Sequence, residues 1–100
     1  DLAGLALSSR NRYLSEHQVG VARTLIAALR EAAKFEDRAK ALDAGKAALS
    51  PEARLDYLEL VDADSFEVLE SSKGKKARLI IAAYVGDTRL IDNLVIDRTS

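Results

Sequence analysis

Leu79-Ile80-Ile81-Ala82-Ala83-Tyr84-Val85 is an apolar run with β-branched members and no polar alternation, followed directly by Gly86-Asp87. A run of this length and composition predicts a central strand buried on both faces, and a central strand demands neighbours. Gly86-Asp87 supplies the turn out of it. Leu90 to Ile96 reads as the last strand, with Asp92 and Asn93 as a bend or a bulge inside it. Upstream, Leu55 to Val61 reads as another strand and Asp62-Ala63-Asp64-Ser65 as its exit turn, followed by a short apolar segment of Phe66, Val68 and Leu69. Lys73, Gly74, Lys75 and Lys76 form the only basic cluster and read as a solvated turn between strands.

The sheet needs a cover, and the first half of the chain supplies helices. Ser15 with Gln18 three residues on is a capping box, and Leu14 with Val19 fits a hydrophobic staple. From there Val19, Ala22, Leu25, Ile26, Leu29 and Ala33 recur at steps of three and four, which builds one apolar helix face. Phe35, Ala39, Leu42 and Leu49 predict a second, shorter helix that ends before Ser50-Pro51. The expected architecture is α+β: a helical hairpin packed on a small, mostly antiparallel β-sheet, in one domain over residues 1–100.

Composition narrows the function classes. At 48% hydrophobic and 31% charged, 100 residues make one small globular domain with an ordinary core. Fifteen Lys and Arg against sixteen Asp and Glu give a net charge of −1, and with five aromatics in the chain this argues against a nucleic-acid partner. The absence of cysteine rules out a disulfide framework and thiolate metal sites. Neither a membrane-length apolar stretch nor a secretory layout is present, so the expectation is a soluble protein without membrane contact, and the lack of cysteine fits the cytoplasmic location that the family resemblance given below implies.

The chemistry-bearing stretch is Gly4-Leu5-Ala6-Leu7-Ser8-Ser9-Arg10-Asn11-Arg12-Tyr13-Leu14. Adjacent hydroxyls and a guanidinium just before a helix suit phosphate oxygens, because Ser8 and Ser9 donate adaptable hydrogen bonds and Arg10 offers a planar fork. The same residues also read as a turn with a helix-start signal, and residue types alone leave both readings open. Asn11 is expected to close the loop on its own backbone, with Arg12 and Tyr13 as possible braces. His17, the single histidine, has no partner at metal-ligand spacing and reads as a surface residue. Asp62, Asp64 and Asp87 sit in separate turns, which argues for solvated turn residues rather than a metal site.

Three motifs in order carry a resemblance. The Gly4–Leu14 string resembles the opening of the C-terminal domain of the pantothenate synthetase (pantoate–β-alanine ligase) family; Asp56-Tyr57-Leu58-Glu59-Leu60-Val61-Asp62 resembles its middle strand, and Gly86-Asp87-Thr88-Arg89-Leu90-Ile91-Asp92-Asn93 its closing motif. Ala3 departs from the acidic residue usual there. The family's His-x-Gly-His signature has no counterpart, so the resemblance implies that the N-terminal nucleotide-binding catalytic domain is absent from this chain. It further implies an enzyme that uses ATP and Mg²⁺ to form a pantoyl adenylate from pantoate, which β-alanine then opens to give pantothenate, AMP and pyrophosphate. In that scheme Leu7, Ser8, Ser9 and Arg10 are ATP-binding, no catalytic residue or metal ligand lies in this chain, and the domain closes over ATP as a lid. Arg89, Asp92 and Asn93 are expected as structural braces near the Ser-Ser-Arg segment. The full enzyme is expected to be a homodimer through its other domain, and the isolated domain an inactive monomer. A noncatalytic interaction module on the same fold is the alternative.

Overall fold

The computed structural model describes residues 15–99. Two helices come first, α1 (Glu16–Ala32) and α2 (Arg38–Ala48), followed by three strands, β1 (Arg54–Asp62), β2 (Lys76–Val85) and β3 (Thr88–Asp97). The sheet has the order β1-β2-β3 and is antiparallel throughout. The helical hairpin packs on one face of it, as expected from the sequence.

α1 begins where the capping box places it. The Gln18 N–H donates to Ser15 Oγ at 3.1 Å, and the Ser15 N–H donates to Gln18 Oε1 at 3.1 Å. Val21, Ala22, Leu25, Ala28, Leu29 and Ala32 form its buried face. At its far end the Arg98 guanidinium donates to the Ala33 carbonyl and, through Nε at 2.9 Å, to the buried Ser72 hydroxyl, closing the helix onto the end of β3. α1 therefore runs alongside β3 in the same direction, from the β2–β3 turn to the end of the strand.

α2 corrects part of the sequence reading. It starts at Arg38 under an Asp37 cap, whose carboxylate accepts the Lys40 N–H at 3.1 Å, and it buries Ala41, Leu42 and Gly45. Phe35 lies in the preceding turn and is exposed, as is Ala39; Leu42 keeps its place in the core, and the helix ends at Ala48 before Ser50-Pro51. The sequence of α2 is rich in alanine on every side, so its apolar phase is weak. What selects the buried face is the tight passage at Gly45, where an added Cβ would stand 3.2 Å from the Ala28 carbonyl oxygen.

β2 is central, but its two faces differ. Ala77, Leu79, Ile81, Ala83 and Val85 are buried under the helices, while on the other face Ala82 is buried and Arg78, Ile80 and Tyr84 are half-covered. Expecting burial on both faces overstated the cover, because both helices lie on one side and the outer face is screened only by neighbouring side chains. Pairing between β2 and β3 continues without a shift from Lys76↔Asp97 to Val85↔Thr88, so Asp92 and Asn93 make neither bend nor bulge. The irregularity sits in β1 instead, between Leu55 and Tyr57. The Phe66-to-Leu69 segment lies along the other edge of β1, through a Val61↔Val68 bridge and the Leu69 N–H to Leu60 O bond at 3.0 Å.

Candidate functional site

Two sequence motifs meet at one end of the domain. Gly86, at φ 61°, turns the chain from β2 to β3 directly against the first turn of α1; a Cβ there would lie 2.5 Å from Gln18 Nε2. The left-handed backbone and the close approach both require glycine. The closing motif is thus packed on the capping box of α1. Leu7, Ser8, Ser9 and Arg10, together with Asn11, Arg12 and Tyr13, lie outside the described residues.

Strand alternation divides the three polar residues of the closing motif. Arg89 and Asn93 point to the outer face. The Arg89 fork donates through Nε and Nη2, at 3.0 and 2.8 Å, to Asp56 Oδ2, spanning β2 to reach β1 at its irregularity. Asn93 Oδ1 accepts from Arg78 Nη1 at 2.8 Å. Both are braces, Arg89 with its partner on β1 and Asn93 with its partner on β2. Asp92 faces the other way, paired across from the fully buried Ile81, and is itself buried. Burial pushes its carboxyl above the usual aspartate range, with the Asn93 N–H at 2.7 Å pulling the other way.

The outer face carries cationic and aromatic side chains in pairs: Arg54 over Tyr84 at 4.6 Å, Arg78 over Phe66 at 5.3 Å and Arg89 over Tyr57 at 5.8 Å from the ring centres. Arg38 in α2 forms a two-pronged pair with Glu59 in β1, at 2.6 and 2.8 Å, which holds the Glu59 carboxyl below its usual range against the opposing effect of burial. His17 is exposed and meets Glu52 at 2.8 Å, tying α1 to the loop before β1. The Asp62 carboxylate accepts the Ser65 and Asp64 N–H groups, both at 2.9 Å, as a turn residue does. Among the described residues no three His, Cys, Asp or Glu side chains gather at metal-binding distance, and no helix is long and apolar enough to cross a membrane.

Sequence reasoning missed the partners that lie far away along the chain: Glu52 for His17, Asp56 for Arg89 and Glu59 for Arg38. Only β-strand parity, applied to Arg89, Asp92 and Asn93, could have separated the two outer braces from the inward carboxylate.

Comparison with known proteins agrees with this geometry. A family profile described as pantoate-beta-alanine ligase matches residues 1–95. The chain is 50% identical over 100 residues to a pantothenate synthetase of Rhizorhabdus wittichii, covering 94% of this chain and 35% of that protein. It is 48% identical over 100 residues to a bifunctional pantoate ligase/cytidylate kinase of a Synechococcus species, covering 93% of this chain and 18% of that one. The crystal structure of pantothenate synthetase from Thermus thermophilus superposes with a TM-score of 0.80 at 40% identity, over 94% of this chain and 36% of that chain. The chain spans about a third of the length of such single-activity relatives.

Proposed function

Because the chain belongs to the pantoate–β-alanine ligase family, we propose that it is the C-terminal domain of an ATP-dependent ligase that joins pantoate to β-alanine. The observation that carries this reading is the reach of the family match, which runs through residues 1–95 and so takes in Leu7, Ser8, Ser9 and Arg10. In the proposed reaction a pantoate carboxylate oxygen attacks the α-phosphorus of ATP, the α–β phosphoanhydride bond breaks and pyrophosphate leaves. The amine of β-alanine then attacks the acyl carbon, losing a proton, and AMP departs with the former carboxylate oxygen.

This domain's part is to close over ATP bound on the preceding domain. Ser8, Ser9 and Arg10 hold the phosphates and neutralise charge as pyrophosphate separates, and closure keeps water from the adenylate. Mg²⁺ arrives with ATP as part of the substrate. Catalytic side chains belong to the other domain, which also forms the homodimer, in a cytoplasmic enzyme.

Arg10→Ala in the full-length enzyme tests the reading. Loss of a two-pronged charged contact to the leaving group is expected to slow ATP–pyrophosphate exchange by about a hundredfold, with thermal unfolding unchanged. Exchange at the wild-type rate would refute the role of Arg10. Pantothenate formation by the 100-residue chain alone would refute the division of labour.

A further inference from the structure

The helices cover one face of the sheet, and the other face is apolar too. There the register sets Tyr57, Ala82 and Ile91 in one row across the strands and Val61, Arg78 and Val95 in another. The Val61↔Val68 bridge adds Val68 to the second row. Six large apolar or aromatic side chains are exposed among the described residues, and five of them are on this face: Tyr57, Phe66, Val68, Ile91 and Val95, each between 38% and 54% exposed. The sixth is Phe35, in the turn between the helices. An antiparallel sheet with one wet face is ordinarily polar on that side, and apolar side chains gathered on it mark a surface that meets another.

Phe66 is held out on this face by its own backbone. It takes φ 63°, a region that bulky side chains rarely enter. Its N–H donates to the Asp62 carbonyl at 3.0 Å, and the Asp62 carboxylate accepts the Asp64 and Ser65 N–H groups, so the turn that sets the ring over Arg78 is fixed along its length. Strain of this kind persists where the surrounding structure imposes it, and it clusters at sites of function.

Size and charge select the occupant. Three strands and the 66–69 segment, about 4.8 Å apart and about seven residues of 3.3 Å long, make a face of about 400 Å², so covering it buries about 800 Å² on the two sides together. That is less than the roughly 1,200 Å² at which separate proteins form stable complexes. It falls within the roughly 600–1,500 Å² of interfaces between domains of one chain, where the tether raises the effective concentration. Charge argues against a second copy. The cross-strand neighbour of Arg54 is Tyr84, and those of Arg78 are Val61 and Val95, so neither arginine looks across the sheet at a carboxylate. Asp56 and Glu59 in β1 are engaged by Arg89 and Arg38. Two such faces together would set arginines against arginines, whereas an apolar surface bearing carboxylates complements both Arg54 and Arg78.

We propose that the outer face of the sheet, around Phe66, Arg78 and Val95, is the surface by which this domain docks on the preceding domain of the same polypeptide, against an apolar patch whose acidic side chains meet Arg54 and Arg78. The inference rests on the reading of this chain as one domain of a longer ligase; the chain spans about a third of its single-activity relatives.

Hydroxyl-radical footprinting of the full-length enzyme, ligand-free and with ATP, compares two residues of one type. Phe66 is 54% exposed in this domain and Phe35 39%, so an uncovered Phe66 is oxidised at least as fast as Phe35. Docking makes Phe66 about fivefold slower than Phe35 in at least one of the two states. Phe66 oxidised at the Phe35 rate or faster in both states overturns the proposal. The occupant is read with Phe66→p-benzoylphenylalanine: irradiation is expected to join position 66 to a peptide of the preceding domain within one polypeptide. A cross-link between two polypeptides, one confined to residues 1–100, or none at all overturns the proposal. Arg54→Glu, which does not touch Phe66, tests the charge; it should raise Phe66 oxidation about fivefold and leave Phe35 unchanged, and an unchanged Phe66 rate overturns the acidic partner surface. None of these readouts passes through the chemistry. A full-length enzyme that made no pantothenate would remove the ligase reading and leave the footprint to decide the docking.

Discussion

Replacing Gly86 with alanine strikes the close approach of the β2–β3 turn to the start of α1. Gly86 sits at φ 61°, where an alanine costs about 1.5 kcal/mol in a folded turn. Its Cβ would also stand 2.5 Å from Gln18 Nε2, so the Gln18 amide must move. A side-chain end moves cheaply only when it is free, and this one accepts the Ser15 N–H in the capping box. Moving it gives up about 1 kcal/mol of cap. The narrower unfolded ensemble of alanine returns about 0.5 kcal/mol, leaving a net destabilisation of about 2 kcal/mol. For a chain of this size that lowers the melting temperature by about 8–16 °C.

A double-mutant cycle in urea, with Gln18→Ala as the second change, isolates the contact. With Gln18 shortened, only the backbone cost remains, so Gly86→Ala should cost about 1 kcal/mol there and the coupling should be about 1 kcal/mol. A coupling under about 0.3 kcal/mol, with Gly86→Ala equally costly in both backgrounds, would show that Gln18 does not meet the turn. A neutral Gly86→Ala would refute the left-handed turn as well.

Glu59→Gln should cost about 1–3 kcal/mol at pH 7, because it removes the anion from the two-pronged Arg38 pair. Since Arg38 holds the Glu59 carboxyl below its unfolded value of about 4.3, the wild-type advantage is complete above that value and shrinks as the pH falls through the depressed one. Urea melts of both proteins across that range check it, and a gap that does not change with pH would refute the ionic account. Leu25→Ala, at a side chain with 0% exposure in the α1 face, should cost about 3–5 kcal/mol by chemical denaturation; a loss below about 1 kcal/mol would mean that α1 does not carry the core.

Local signals survived the passage from sequence to structure, and signals that depend on neighbours did not. The Ser15–Gln18 capping box involves four consecutive residues and was readable as written. β2 was recognisable from Leu79–Val85, yet how far its outer face is covered depends on where the helices go, and an apolar run does not record that. α2 was readable as a helix but not in its facing, since its close approach to α1 is made at Gly45, a residue that hydrophobic periodicity does not weigh. Ser8, Ser9 and Arg10 were legible only as phosphate-type chemistry, since they lie outside the described residues.

The closing motif shows how far a period of two can carry a functional argument. Once Leu90–Ile96 is taken as a strand, positions 89 and 93 share a face and position 92 takes the other, whatever the partners are. Unbroken pairing with β2 then leaves Asp92 no local escape: a bulge would have let it swing outward, and the register has none there. Arg89 and Asn93 gain partners on the outer face, at Asp56 and Arg78, so two of the three polar residues account for themselves as braces. An inward carboxylate opposite Ile81 weakens the core unless donors reach it, and a leucine there would pack beside Ile81 at no such cost. Parity within the strand, rather than polarity in an apolar string, sets Asp92 apart from Arg89 and Asn93.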